Sequence, residues 1–164
     1  MKIGIDIDDT LTNTDLEFKK VMSKYVNSDK GYKDKLTTLE YKIFLDNIEE
    51  IMSKANLKED AKDVLYELRN LGHKLYIITA RSNKFSKNIE DITMNFIKKN
   101  NLKFDKIIFN QQKKSDIAKK LELDLMIDDN IAVYNNMKEE NINCILFGDK
   151  IRTWKEVLDY IKRM

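Results

Sequence analysis

Three acids fall within four positions near the start of the chain: Asp6, Asp8 and Asp9, inside "KIGIDIDDTLT", residues 2–12. They interleave with and follow Ile3, Ile5 and Ile7, which read as a buried strand. Carboxylates are almost never fully buried unless they are paired or hold a metal. Other polar residues end later apolar runs. Thr79 closes "KLYIIT" and is followed by Arg81, while Asp128 and Asp129 close "LDLMIDD". Lys113 and Lys114 open the helical pattern that leads to Asp128. On a strand, Asp6 and Asp8 point to the same side. With Asp128 and Asp129 beside them, like charges in a small space cannot all stay ionised unaided. A hard divalent cation relieves this, and Mg²⁺ favours a few carboxylates with water and a substrate phosphate. Thr79 can donate a hydroxyl hydrogen bond and Lys114 adds a compact positive charge. An acid nucleophile, a cation, a hydroxyl and a lysine suit phosphoryl transfer through an aspartyl-phosphate.

Such residues need elements that bring them to one edge. Five apolar runs, at residues 2–7, 74–79, 106–110, 123–128 and 143–147, are rich in Ile, Leu and Phe and barely alternate, as strands covered on both faces do. Helical patterns separate them. In "EDAKDVLYELRNLG", Ala61, Val64, Leu65 and Leu68 share a face and Gly72 stands where a C-terminal cap belongs. "TWKEVLDYIKRM" opens with a capping box, Thr153 to Glu156, and should bury Trp154, Val157, Leu158 and Ile161. Alternating strands and helices predict an α/β fold, a parallel sheet with helices on both faces. In such a sheet ligands bind at the carboxyl ends of the strands. Residues 13–56 break the rhythm with two helical candidates, "LEFKKVMSKYV" and "TTLEYKIFLDNIEEIMSKA", joined by the polar "NSDKGYKDK". They read as a helical hairpin inserted after the first strand, leaving 1–12 and 57–164 as the core.

Composition narrows the function. The 164 residues hold 30 Lys and Arg against 28 Asp and Glu, a net charge of +2, which argues against a nucleic-acid or membrane-surface protein. No apolar run reaches the roughly 18 residues a membrane span needs, and the default expectation is a cytoplasmic protein. One Cys, Cys144, and one His, His73, exclude disulfide frameworks and zinc fingers, and both read as structural. Four glycines, Gly4, Gly31, Gly72 and Gly148, are spaced too widely for a phosphate-binding glycine loop.

"DIDDTLT" is similar to the DxDxT signature of the haloacid dehalogenase superfamily. "IIT" ending at Thr79, a downstream lysine and "MIDD" at 126–129 resemble that superfamily's other three motifs, in order and across nearly the whole chain. The resemblance implies a three-layer, Rossmann-like core with a small helical cap inserted after the first strand. It implies that Asp6 attacks phosphorus and that Asp8 protonates the leaving oxygen and then activates water. Asp6, the backbone carbonyl of Asp8, and Asp128 would hold Mg²⁺, with Asp129 close by or acting through water. Thr79 would orient a phosphoryl oxygen and a lysine would neutralise charge. Of the adjacent pair Lys113 and Lys114, the spacing favours Lys114, three before Ile117, the first expected buried residue of its helix. Asp9 and Arg81 stand as further candidates around the metal or phosphate, although Asp9 and Thr10 also suit a turn, Asp129 could cap the next helix, and Arg81 could lie on the surface. In the cap, Phe18, Tyr25, Tyr41 and Phe44 could offer stacking faces. "GIDIDDTLT", "YIITAR" and "LMIDDN" most resemble small bacterial nucleotidases of the 5′(3′)-deoxyribonucleotidase type, so nucleoside 5′-monophosphates are among the implied small phosphorylated substrates.

Alternatives remain at this point. One is removal of a terminal phosphate from a polynucleotide. Another is a non-catalytic phospho-ligand module or receiver-like domain, which also gathers acids, a Thr and a Lys, but with its acceptor acid on the third strand and no insertion after the first. Oligomeric state, monomer or homodimer, is not legible.

Overall fold

A computed structural model describes residues 1–164. Five parallel strands form one sheet: β1 (Lys2–Ile5), β2 (Lys74–Ile78), β3 (Lys106–Ile108), β4 (Leu125–Asp128) and β5 (Cys144–Leu146), in the order β3-β2-β1-β4-β5. The chain builds outward from β1 to β3, then returns to the other side of β1 with β4. The switch point therefore lies between β1 and β4, where an open α/β sheet leaves a crevice at its carboxyl edge. All the strands but β4, which ends with its run at Asp128, stop one or two residues short of their apolar runs. β1 shows why: the Asp6 N–H still reaches the Ile127 carbonyl at 3.0 Å, but the chain then folds back so that Leu11 and Thr12 both donate to the Ile7 carbonyl.

Seven helices complete the chain: α1 (Thr14–Met22), α2 (Thr38–Lys54), α3 (Ala61–Asn70), α4 (Ile89–Lys99), α5 (Lys114–Leu121), α6 (Ile131–Glu139) and α7 (Trp154–Arg163). Alternate strand residues feed two cores. Ile3, Ile5, Ile77, Leu125 and Ile127 pack with Val64, Leu65 and Leu68 of α3, Phe96 and Ile97 of α4, and Trp154, Val157 and Ile161 of α7. Tyr76, Ile78 and Met126 pack on the other face with Ala118 of α5 and Met137 of α6. Gly4 belongs to that second face, in register with Tyr76 and Met126. A Cβ there would lie 2.6 Å from the Leu123 side chain and 2.7 Å from that of Met126, so glycine permits the close packing. Both helix ends read from sequence are present: Gly72 adopts φ 84° after α3, and Thr153 and Glu156 form the capping box of α7.

The hairpin of residues 13–56 folds as two helices packed on each other. α1 stops at Met22, four residues before the apolar run ends, because Tyr25 and Val26 both turn back to the Met22 carbonyl. α2 begins with a capping box the sequence reading passed over, in which Thr37 accepts from the Glu40 N–H and Glu40 accepts from the Thr37 N–H at 2.7 Å. Phe18, Val21, Met22 and Ile51 form its centre, with Tyr32, Leu36 and Phe44 against them. Its two ends are tied together, Asn13 to Asn56 and Leu11 to Lys58, each at 2.9 Å. Ile48 and Met52 of α2 bury against Ile89 of α4, which joins the hairpin to the core away from its hinge.

Candidate active site

Asp6 and Asp8 follow β1, Asp128 ends β4 and Asp129 follows it, so the switch point brings them together across its crevice. Carboxylate oxygens of Asp6, Asp128 and Asp129 lie within 4.8 Å of one another. Lys114, the first residue of α5, places Nζ 2.5 Å from Asp6 and 2.7 Å from Asp128, all three side chains being buried. Its neighbour Lys113 points outward and pairs with Asp116. Ile117, expected to be the first buried residue of this helix, is only half-buried; Lys114 itself, Ser115 and Ala118 face inward.

Burial pushes Asp6 up to about 6, against the pull of Lys114, with Asp128 and Asp8 adding to the rise. Burial likewise raises Asp128, again opposed by Lys114. One lysine thus leaves the group short of positive charge. The donor set is all carboxylate, with no sulfur or imidazole, and this fits a hard divalent ion.

Asp8 faces elsewhere. Arg81 is buried at 2% exposure and grips it with a fork, Nη2 to Oδ1 at 2.7 Å and Nε to Oδ2 at 3.0 Å. Thr14, the first residue of α1, donates to the same carboxylate at 2.6 Å. Burial alone would raise Asp8, but the charge and hydrogen bonds of Arg81, with that of Thr14, hold it below the ordinary carboxylate value. Arg81 also donates Nη1 to Thr93 of α4 at 3.0 Å, and Thr93 donates in turn to the Ile89 carbonyl. A surface arginine is therefore excluded.

Thr79 is fully buried, and its hydroxyl oxygen accepts from the Arg81 N–H at 3.1 Å, leaving its own proton to donate. Asp9 shapes the turn after β1: its φ is 59° and its carboxylate accepts the Asp15 N–H at 2.9 Å. Asp129 does not cap α6. Asn130 does, accepting from Ala132, while Asp128 accepts the Asn130 N–H at 2.9 Å. The Thr10 hydroxyl bonds the Asp129 backbone and carboxylate, and the Trp154 indole donates to the Thr10 carbonyl at 3.1 Å, so α7 braces the acid loop.

A cavity of about 210 Å³ lies against these residues, walled by Asp6, Asp8, Lys114, Asp128 and Asp129, with Tyr32 and Lys33 from the hairpin. No protein-family model matches the chain, and no curated protein matches it in sequence. Solved structures do match. A haloacid dehalogenase-like family hydrolase from Streptococcus pneumoniae superimposes with a TM-score of 0.72 at 16% identity, covering 98% of this chain and 97% of that one. The chain has the haloacid dehalogenase fold. A predicted phosphatase from Clostridium acetobutylicum matches at TM-score 0.60 and 16% identity, over 99% and 98% of the two chains. CbbY from Rhodobacter sphaeroides, solved in complex with phosphate, matches at TM-score 0.55 and 14% identity, over 92% and 88%.

The haloacid dehalogenase fold carries its cap here differently from the sequence reading. None of the four stacking candidates walls the Asp6 cavity. Phe18 is buried in the hairpin centre, Tyr25 and Tyr41 are exposed, and Phe44 packs edge-on to Phe18, their centroids 5.5 Å apart. The sequence reading favoured residues on helices, whereas the segment between the helices reaches the site. Gly31 is the local reason: a Cβ there would collide with the Asp15 carboxylate, which accepts the Tyr32 N–H at 3.0 Å. The glycine in "DKGYKDK" was the signal available. Thr14 and Thr93, both bonded to the Asp8–Arg81 pair, carried no signal at all.

Proposed function

We propose that this chain is a Mg²⁺-dependent phosphomonoesterase of the haloacid dehalogenase superfamily, acting on small phosphorylated metabolites through an aspartyl-phosphate. The observation that carries the reading is the meeting of Asp6, Asp128 and Lys114 at the switch point, beside a separately held Asp8. The Asp6 carboxylate attacks phosphorus and the bond to the leaving oxygen breaks; Asp8, which Arg81 holds ionised beforehand, takes the proton of the singly protonated substrate phosphate and passes it to that oxygen. Asp8, now a carboxylate again beside Arg81, takes a proton from water, whose oxygen attacks the phosphoryl group and releases Asp6 and inorganic phosphate. Thr79 donates to a phosphoryl oxygen, and Lys114 offsets negative charge as it moves from the phosphate to Asp6. Asp6, Asp128 and Asp129, with the Asp8 carbonyl, would hold Mg²⁺, which when bound neutralises the phosphoryl oxygens.

The cavity of about 210 Å³ favours a small substrate. A nucleoside 5′-monophosphate is the finer reading, supported by Tyr32, an aromatic residue on the cavity wall. The test is a panel of nucleotides, sugar phosphates, phosphorylated acids and p-nitrophenyl phosphate, with Mg²⁺ and with EDTA. Turnover that needs Mg²⁺ and vanishes in Asp6→Asn is the expected result. Turnover by Asp6→Asn, or none on any phosphomonoester, would overturn the reading.

A further inference from the structure

Lys33 belongs to the segment between α1 and α2, yet it forms an ion pair with Asp129, one of the three acids of the cation cluster. Its ammonium also lies 5.5 Å from the centroid of the Tyr32 ring. Asp129 is mostly buried, so a positive charge beside it offsets the cost of leaving its carboxylate ionised. A second cavity, of about 650 Å³, adjoins the first. Lys33, Asp129 and Asn130 wall both, so the ion pair stands between them. The larger cavity is also walled by Lys58 and Arg152, whose side chains bond Asn13 and the Asp149 carbonyl and pair with no carboxylate.

We propose that Lys33 is a positioning residue that holds the place of the cation. This rests on the Mg²⁺-dependent reading of the site. In the metal-free protein the Lys33 ammonium neutralises Asp129 and ties the cap segment across the crevice. A divalent ion drawn in by Asp6, Asp128 and Asp129 competes for the same carboxylate and releases Lys33. Loss of that pair frees the segment around Tyr32 and removes the divide between the two cavities. The cleft thereby gains room around the phosphate, with the Lys33 charge left at its mouth. Cation uptake and cap opening become a single exchange at Asp129.

Lys33 is partly exposed and sits in no hydrophobic centre, so Lys33→Met should fold as the parent does. Two measurements on the full chain test the exchange. Calorimetric titration with Mg²⁺ should give a Kd about three- to tenfold lower for Lys33→Met, whose Asp129 has no competitor. Hydrogen exchange should show, in the parent, faster exchange at residues 30–35 on adding Mg²⁺, together with slower exchange around Asn130. In Lys33→Met the segment should exchange fast already and respond little to Mg²⁺. Equal or weaker Mg²⁺ binding by Lys33→Met, or a segment that Mg²⁺ leaves unchanged in the parent, overturns the exchange while leaving the phosphatase reading intact. Absence of Mg²⁺ binding in both proteins overturns both.

Discussion

Arg81 grips Asp8 through two nitrogens, at 2.7 and 3.0 Å, and no other carboxylate reaches that arginine. The pair divides the four acids into two jobs. Asp6, Asp128 and Asp129 form the cluster proposed to hold a cation, while Asp8 is fixed apart from them by a partner that α4 holds in place. Lysine cannot copy this fork, since a point charge cannot span both oxygens and Thr93 as well. Arg81→Lys is expected to keep the fold and to lower kcat about 10- to 100-fold by misplacing Asp8. Circular dichroism and steady-state kinetics together check this; wild-type kcat in Arg81→Lys would mean that Asp8 needs no orienting partner.

The two lysines at the start of α5 should behave oppositely. Lys114→Met strands two buried carboxylates, with an expected loss of about 3–5 kcal/mol of stability and of all turnover. Lys113→Met removes only an exposed pair with Asp116 and should change stability by less than about 0.5 kcal/mol. Urea melts and assays of both variants distinguish them, and equal losses would contradict the assignment.

Asp6 should make the metal-free protein sensitive to pH. Its value in the fold is about 6, against an ordinary 3.8. Between those values the folded protein binds more protons than the unfolded chain, so stability falls as pH rises through the window and levels off above it. The full cost is about 3 kcal/mol at neutral pH. Asp6→Asn removes the ionisation, so it should be more stable than the parent at pH 7, by about 1–3 kcal/mol, and have little advantage at pH 4. Denaturant melts with EDTA at the two pH values measure this directly. An advantage independent of pH would show that burial of the Asp6 charge is not its source.

Glu40 has the opposite sign. Hydrogen bonds from Lys30, the Thr37 backbone and Ser28 hold it down to about 2, from an ordinary 4.5. Its contribution to the start of α2 is present above about 4.5 and is lost as pH falls toward about 2. Amide protection at residues 37–41, taken relative to the intrinsic exchange rate at each pH, should therefore fall across that window in the parent, and should be low throughout in Glu40→Ala. A flat profile in the parent would dismiss the capping box as a source of order there.

Much of this protein was written in its local sequence. Five apolar runs became the five strands, because a strand covered on both faces must be apolar at nearly every position. The α3 and α7 faces came from spacing alone, and the acid-bearing strand ends announced themselves because charge so rarely follows a core strand. What no local pattern could specify were contacts between distant segments. Arg81 and a surface arginine look alike until Thr93, Thr14 and Asp8 close around it. Phe18 and Tyr32 are both aromatic, yet hairpin packing buries one and Gly31 with Asp15 delivers the other to the cavity. Lys33 meets Asp129 across most of the chain's length, a pairing set by where the loop between α1 and α2 lands. Periodicity records which face of an element is apolar; which side chains meet is decided only when the elements pack.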